Sequence, residues 1–373
     1  GVCSVLLSYL LGRYLFGRSS IGLLNALLTA ILPIHVTRSQ TALPDIPMFA
    51  SVQLFLLCCV FVSRTGNWRH YLAAGVAAGL AVAFKYSATA VTPALLAASL
   101  IRPGMASLWQ RIFNPLLLMS AVASAISFVI LTPFSILSFH EFIRDILYHN
   151  SYIFGAGQPW ARPPIPTFLY LFVDTIPQTS GTLLTIFSIL GLFYAIYRRT
   201  SADILLLVGF LSLYIFTARA STVFAHYALP LLPFLTIFAA RVSVEALGRL
   251  RLAPSLRYAV AAAGIVALVA QPFAQVARYD YSLTRTDTRT EAKAWIEANI
   301  PAGAKVLMDG GRDFFTVSPP LRYSRAGVER RIREARRDEP GRVRYWETLL
   351  QTTGNGGYDL YPIQGDMFHR TVP

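Results

Sequence analysis

His35, Arg38 and Asp45 fall within eleven positions, in His-Val-Thr-Arg-Ser-Gln-Thr-Ala-Leu-Pro-Asp, between an apolar run ending at Ile34 and another starting at Ile46. Ionised side chains are costly inside hydrocarbon, so this stretch belongs at a membrane–water boundary. A guanidinium there can clamp a phosphate through two parallel N–H bonds. A carboxylate at the start of a helix sees the positive end of the helix dipole. Asp45 therefore reads either as a cap before Ile46-Pro47 or as a group that binds a divalent ion or orients a sugar-phosphate. His35 reads equally as an interface anchor or as a ligand. Lys85, in Ala-Phe-Lys-Tyr-Ser, interrupts an apolar stretch from Tyr71 to Ile101. A lysine costs about 2.5–3.5 kcal/mol at the centre of a span, so Lys85 marks a turn between two short spans, a functional cation, or both.

Two further stretches hold candidates. Residues 136–165 carry His140, Glu141, Arg144, Asp145, His149, Trp160 and Arg162 among Gly and Pro. A connection of that length is functional or disordered in most compact proteins, and it reads either as a lid over a substrate or as an interfacial amphipathic helix over Phe139–Tyr152. Ala-His226-Tyr227-Ala-Leu-Pro-Leu-Leu-Pro opens a late apolar run, with Pro230 and Pro233 as kinks.

The elements that must position these residues are membrane spans. Of 373 residues, 54% are hydrophobic and 14% charged, against roughly 25% charged in soluble domains, and the mean hydropathy is +0.50. This is the composition of a polytopic membrane protein. With about 20 apolar residues per crossing, spans fall near 1–17, 20–36, 46–63, 71–84, 87–101, 113–135, 180–198, 203–218, 227–244 and 258–277, the fourth and fifth short enough to form one bent hairpin. The expected fold is an all-α transmembrane bundle of about ten spans over residues 1–279. A small soluble α/β extracytoplasmic domain is expected over 280–373.

Charge sets the orientation. Arg13, Arg18, Arg64, Arg69, Arg102, Arg111, Arg198, Arg199, Arg241, Arg249, Arg251 and Arg257 fall in one alternate set of connections, which is cytoplasmic by the positive-inside rule. Arg38, Lys85, Arg144, Arg162 and Arg219 fall in the other, extracytoplasmic set. That set also holds His35–Asp45 and His226, so residues scattered in sequence share one side. The net charge of +14 is distributed at span ends and in the last ninety residues, which points to anionic lipid headgroups and excludes nucleic acid as the partner. Cys3, Cys58 and Cys59 lie in apolar runs without metal-ligand spacing and imply no disulfide framework.

In the C-terminal part, Thr290–Asn299 reads as a helix, Pro301-Ala-Gly as a turn and Lys305–Met308 as a strand. Val328–Arg337 reads as a solvated helix, Asp309-Gly-Gly is too weak for a phosphate loop, and no closing strand is legible before Pro373. A multispan transporter or flippase of a lipid-linked or anionic substrate is the alternative class, but it predicts paired charges near midplane and internal repeats, and no repeat is visible.

The succession of apolar helix, His-x-x-Arg, Ala-Leu-Pro-Asp-x-Pro and apolar helix resembles the second extracytoplasmic loop of the GT-C membrane glycosyltransferases. These polyprenyl-phosphate-sugar-dependent enzymes include the dolichyl-phosphate-mannose-protein mannosyltransferases and the lipid A aminoarabinose transferases. Gly-Leu-Ala-Val-Ala-Phe-Lys85-Tyr-Ser is similar to the family's lysine segment, and His226-Tyr227 with Pro230 and Pro233 to its late His-Tyr-x-x-Pro-x-x-Pro span start. The resemblance covers about residues 1–300. It implies that Arg38 and Lys85 hold the donor phosphate and that Asp45 orients the donor or holds a divalent cation. It makes His35, Tyr86, His149, Trp160, Arg162, His226 and Tyr227 cavity or lid candidates. It implies inverting transfer to a lipid, glycan or protein acceptor at the extracytoplasmic face of a bilayer, with the bacterial inner membrane expected. The family's acidic base lies in its first outer loop, which by this alignment precedes Gly1, so the catalytic residue is unknown here.

Overall fold

Helices close their own backbone hydrogen bonds, the condition for crossing hydrocarbon, and the described apolar part of this chain is mostly helical. The computed structural model describes residues 1–102, 107–155, 161–309, 318–338, 340–354 and 356–363. The chain divides into two units, Gly1–Tyr279 and Asp280–Pro373.

The first unit contains α1 (Val2–Phe16), α2 (Ser19–Ala30), α3 (Pro33–Ser39), α4 (Asp45–Thr65) and α5 (Trp68–Phe84), then a 3-10 turn over Tyr86–Val91. It continues through α6 (Pro93–Leu100), α7 (Leu108–Ile112), α8 (Pro115–Leu131), α9 (Phe134–Leu137) and α10 (Phe139–Phe154). After α11 (Thr167–Tyr170), a π-turn and α12 (Ile176–Ser180) come α13 (Thr182–Arg198) and α14 (Ser201–Ala218). A second 3-10 stretch, Ala225–Leu231, leads into α15 (Leu232–Arg249), followed by α16 (Pro254–Leu283).

Each expected span is helical, but the count of about ten needs correction. Among the described residues, five helical stretches are long and apolar enough to cross a membrane: Asp45–Thr65, Leu108–Leu131, Ser201–Ala218, Ala225–Arg249 and Pro254–Asn299. The pair α2 and α3 makes a sixth if taken together, bent by 61°. Pro33 stands at the first position of α3; without an N–H and with φ fixed, proline starts a helix rather than continuing one. The other expected spans are shorter helices, and the fifth is divided where Pro93 opens α6 after a 3-10 turn.

The core runs along α4 and α15. Met48, Phe49, Val52 and Phe55 of α4 are buried, as is α15 continuously from Leu232 to Arg241. By contrast, α8 and α16 leave most of their apolar side chains exposed, as helices facing lipid do. Close approach depends on glycine where two backbones meet. A Cβ on Gly191 of α13 would run into the Phe238 carbonyl oxygen of α15, and one on Gly75 of α5 into the Ser120 carbonyl oxygen of α8.

Arg241 differs from its expected place in a cytoplasmic connection. It lies within α15, 3% exposed, paired with Asp203 of α14 and with Glu245 one turn on. An i,i+4 acid on the same helix and a facing acid on the next neutralise a charge that apolar surroundings would otherwise reject.

The second unit holds α17 (Thr288–Asn299), β1 (Lys305–Asp309), the helices Arg325–Asp338 and Val343–Thr352, and β2 (Asp359–Ile363). The strands pair in parallel, Lys305 opposite Asp359 and Asp309 opposite Ile363. A closing strand thus exists where none is legible. Asp-Leu-Tyr-Pro-Ile contains a proline, which cannot donate to a ladder and marks an edge. Its Leu360 packs with Met308 and Tyr358 in a small core. The helix Arg325–Asp338 is not wholly solvated either: Val328, Ile332 and Ala335 are buried along one face. Arg330 bonds the Asp359 carboxylate and the Leu360 carbonyl.

Candidate functional site

Three interruptions of helical structure meet at one end of the first unit. Pro44 precedes α4 and places Asp45 in its first turn. Lys85 is extended, with φ −159° and ψ 120°, between the end of α5 and the 3-10 turn. Phe224, also extended, opens the 3-10 stretch that carries His226 and Tyr227. Backbone that leaves the helical pattern at membrane depth lines cavities, and these three lengths of chain bring their side chains together.

Lys85 Nζ donates to Asp45 Oδ1 at 2.6 Å. The Asp45 side chain is 6% exposed and that of Lys85 27%, so the carboxylate is buried and the ammonium reaches the surface of the pocket. Lys85 Nζ also lies 5.9 Å from the centroid of the Tyr227 ring. Arg38 Nη2 donates to His226 Nδ1 at 3.4 Å, joining positions 188 residues apart. Since a guanidinium only donates, Nδ1 accepts, and the neutral imidazole carries its proton on Nε2 as a donor.

A pocket of about 60 Å³ adjoins this cluster. Lys85, His226 and Tyr227 form its polar side, and Phe154, Leu213 and Phe216 belong to its apolar wall. One lining cation, Lys85, an imidazole N–H and an apolar wall, with Arg38 bonded to that imidazole from outside the lining, suit an anionic headgroup on an apolar chain. Lys85 is therefore at once the break between two short spans and a cation in a pocket.

The remaining candidates are placed as follows. His35 is buried, with Nε2 2.6 Å from Ser4 Oγ and its ring 5.3 Å from that of Phe49; the structure places it in the core, partnered, and outside the pocket lining. Tyr86 packs edge-on against Phe128 of α8 and Phe142 of α10. His149 lies on the exposed side of α10 beside Tyr148. In the same helix Arg144 pairs with Asp145 in solvent. Arg162 is exposed, and Trp160 lies outside the described residues. Phe139–Phe154 is an amphipathic helix whose last residues, Ile153 and Phe154, enter the pocket wall. The α14 side of the pocket, Leu213, Phe216 and Thr217, escapes sequence reasoning because an apolar helix carries no mark of which face lines a cavity.

Among the described residues no group of three His, Cys, Asp or Glu gathers round a possible metal, and Oδ1 of Asp45 is engaged by an ammonium. Hard divalent cations take several oxygen ligands.

The fold and the cluster define a class, helical membrane proteins with charged side chains gathered where the spans break. The family profile described as dolichyl-phosphate-mannose-protein mannosyltransferase matches residues 1–136, the part that carries Arg38, Asp45 and Lys85. Among solved structures the chain is similar to ArnT from Cupriavidus metallidurans, crystallised bound to undecaprenyl phosphate. The TM-score is 0.54 at 14% identity, over 85% of this chain and 69% of that one. The search of curated proteins gives no match. The resemblance to the GT-C membrane glycosyltransferases is matched by that profile over residues 1–136, and the fold is similar to that of ArnT.

Proposed function

We propose that this chain is a membrane glycosyltransferase that moves a sugar from a polyprenyl-phosphate-linked donor to an acceptor hydroxyl at the extracytoplasmic face. The observation that carries the reading is Lys85 at a helix break, beside the Arg38–His226 pair and against an apolar wall. In such a transfer the acceptor oxygen attacks C1 of the sugar as the C1–O bond to phosphate breaks, so negative charge grows on the departing phosphate. Fixed cations and N–H donors aimed at that charge are the main electrostatic means of lowering the barrier. Lys85 and Arg38 supply the cations, and the Nε2 proton of His226 supplies a further donor. Opposite-face attack inverts C1, and the acceptor's proton passes to a base not assigned among these residues. Asp45 is not assigned that role: before the donor arrives its Oδ1 accepts from Lys85.

The arriving phosphate competes with Asp45 for Lys85. Asp45 thus holds the ammonium oriented before the donor arrives, and a dianionic or monoanionic phosphate shares or takes over that contact. Alternation of arginine across the connections supports the extracytoplasmic placement. The charges about the pocket, Asp45 and Lys85, stand at helix ends, which favours an enzyme over a transporter, whose charged residues pair near midplane. Release of polyprenyl phosphate from polyprenyl-phosphate mannose and polyprenyl-phosphate aminoarabinose, measured in proteoliposomes, tests the reading. Lys85→Met is expected to slow release by roughly 10²-fold, the size of effect seen on removing one such donor. Release at the unaltered rate in that variant would contradict it.

A further inference from the structure

The buried charges of α14 and α15 lie at the opposite ends of these helices from the pocket. Asp203 is in the first turn of α14, whereas Leu213, Phe216 and Thr217 of that helix line the pocket. Arg241 and Glu245 lie towards the C-terminal end of α15, whereas His226 and Tyr227 immediately precede its N-terminal end. Phe16 is the last residue of α1, whose other end holds Ser4 against His35.

One guanidinium joins all of these far ends. Arg241 pairs with Asp203 and, through Nε, with Glu245 at 2.9 Å. Its Cζ lies 4.4 Å from the centroid of Phe16 in α1 and 5.1 Å from that of Tyr194 in α13. The Tyr194 hydroxyl donates to Glu245 and accepts from Arg249. Asp203 is 0% and Arg241 3% exposed. Asp203 is further tied to Thr200 in a capping box at the start of α14. Four helices thus converge on one buried cation.

Buried ion pairs contribute little net stability compared with apolar packing, and their best-attested use is to fix register. Between the charge cluster and the pocket, α15 is a packed rod. Ser188 Oγ of α13 donates to the Leu235 carbonyl at 2.9 Å, and the Gly191 contact with Phe238 allows no spacing. Ala225–Leu231 run into α15 as one apolar helical stretch through Pro230 and Pro233, so sliding or turning α15 at Arg241 carries to the His226 end.

We propose that Arg241, with Asp203 and Glu245, is a positioning residue: it sets the axial register of α15 against α1, α13 and α14, and thereby the placing of His226 and Tyr227 beside Lys85. This rests on the functional reading above, in which that site holds a lipid phosphate. A merely structural role would lower stability without selectively touching phosphate binding. A register role makes the effect of changing Arg241 depend on whether His226 is present.

The test is a double-variant cycle on this chain in nanodiscs, with undecaprenyl phosphate as the probe and affinity and thermal midpoint both measured. Arg241→Gln is expected to weaken binding about tenfold at temperatures well below its own melting, and much less in a His226→Ala background, so the two effects do not add. Arg241→Lys keeps the charge and loses the fork; it is expected to give an intermediate loss and serves if Arg241→Gln fails to fold. Restored binding in the reciprocal Asp203→Arg, Arg241→Asp chain supports the register role. Additive effects with His226→Ala, or unchanged affinity in Arg241→Lys together with a lowered melting point, overturn it. Absence of undecaprenyl phosphate binding by the unaltered chain overturns the functional reading itself, and the positioning role with it.

Discussion

Lys85 is not an isolated cation, and this decides what its removal does. Losing one partner of a buried pair leaves the other charge uncompensated, at a cost of about 3–5 kcal/mol when both are fully buried. Because Lys85 keeps 27% exposure, Lys85→Met is expected to destabilise the chain by the lower part of that range, seen as a drop in thermal midpoint. Adding Asp45→Asn is expected to restore the midpoint but not phosphate binding; a midpoint unaffected by Lys85→Met would mean that the pair does not form. Arg38→Lys keeps charge but gives up the fork that spans a phosphate and reaches His226. Its undecaprenyl phosphate affinity is expected to fall several-fold while the melting point stays within a degree or two, and equal affinity would place Arg38 outside the contact. The cationic residues were legible because charge in apolar sequence is expensive wherever it lies. Their partners were not: nothing in the spacing of Asp45 and Lys85, or of Arg38 and His226, says which pairs form. The same limit explains Arg241, which looks like a loop charge until Asp203 and Glu245 are seen around it.

At the level of the element, the spans were legible because the bilayer demands long apolar helices, and ends were visible at Pro44 and Lys85, whereas the second span was read straight through Pro33. Their lengths were less so. Apolarity alone does not distinguish a helix that crosses the membrane from a shorter one packed inside the bundle, and the bend before α3 and the 3-10 turn after Lys85 depend on tertiary contacts. The strand Asp359–Ile363 was hidden for a different reason: its proline suppresses the strand pattern, and its pairing with Lys305–Asp309 is between distant residues. Packing gives its own test at Gly191. Inserting bulk into a close-packed contact costs typically 1–3 kcal/mol, and here the added atom meets the Phe238 carbonyl. Gly191→Ala is expected to lower the thermal midpoint by several degrees, whereas Gly248→Ala, with open space around it, is expected to leave it in place. Equal effects would mean that α13 and α15 are not in contact as described.

At the scale of the whole molecule, the arginine alternation requires that the connection after α15 face the cytoplasm and the segment after the apolar part of α16 face outward. A reporter fused after Arg257 is expected to read cytoplasmic and one fused after Asp280 external, and the reverse would detach the C-terminal unit from the side assigned to the pocket. The central claim is that one end of the helical bundle holds a lipid phosphate through Lys85 and Arg38. Its most direct measurement is a binding titration of the purified chain in nanodiscs with undecaprenyl phosphate and with the uncharged undecaprenol. Saturable binding of the phosphate, weak binding of the alcohol, and loss of the difference in the Lys85→Met, Arg38→Gln chain are the expected result. Equal binding of phosphate and alcohol, or a preference for phosphate that survives both substitutions, would contradict it.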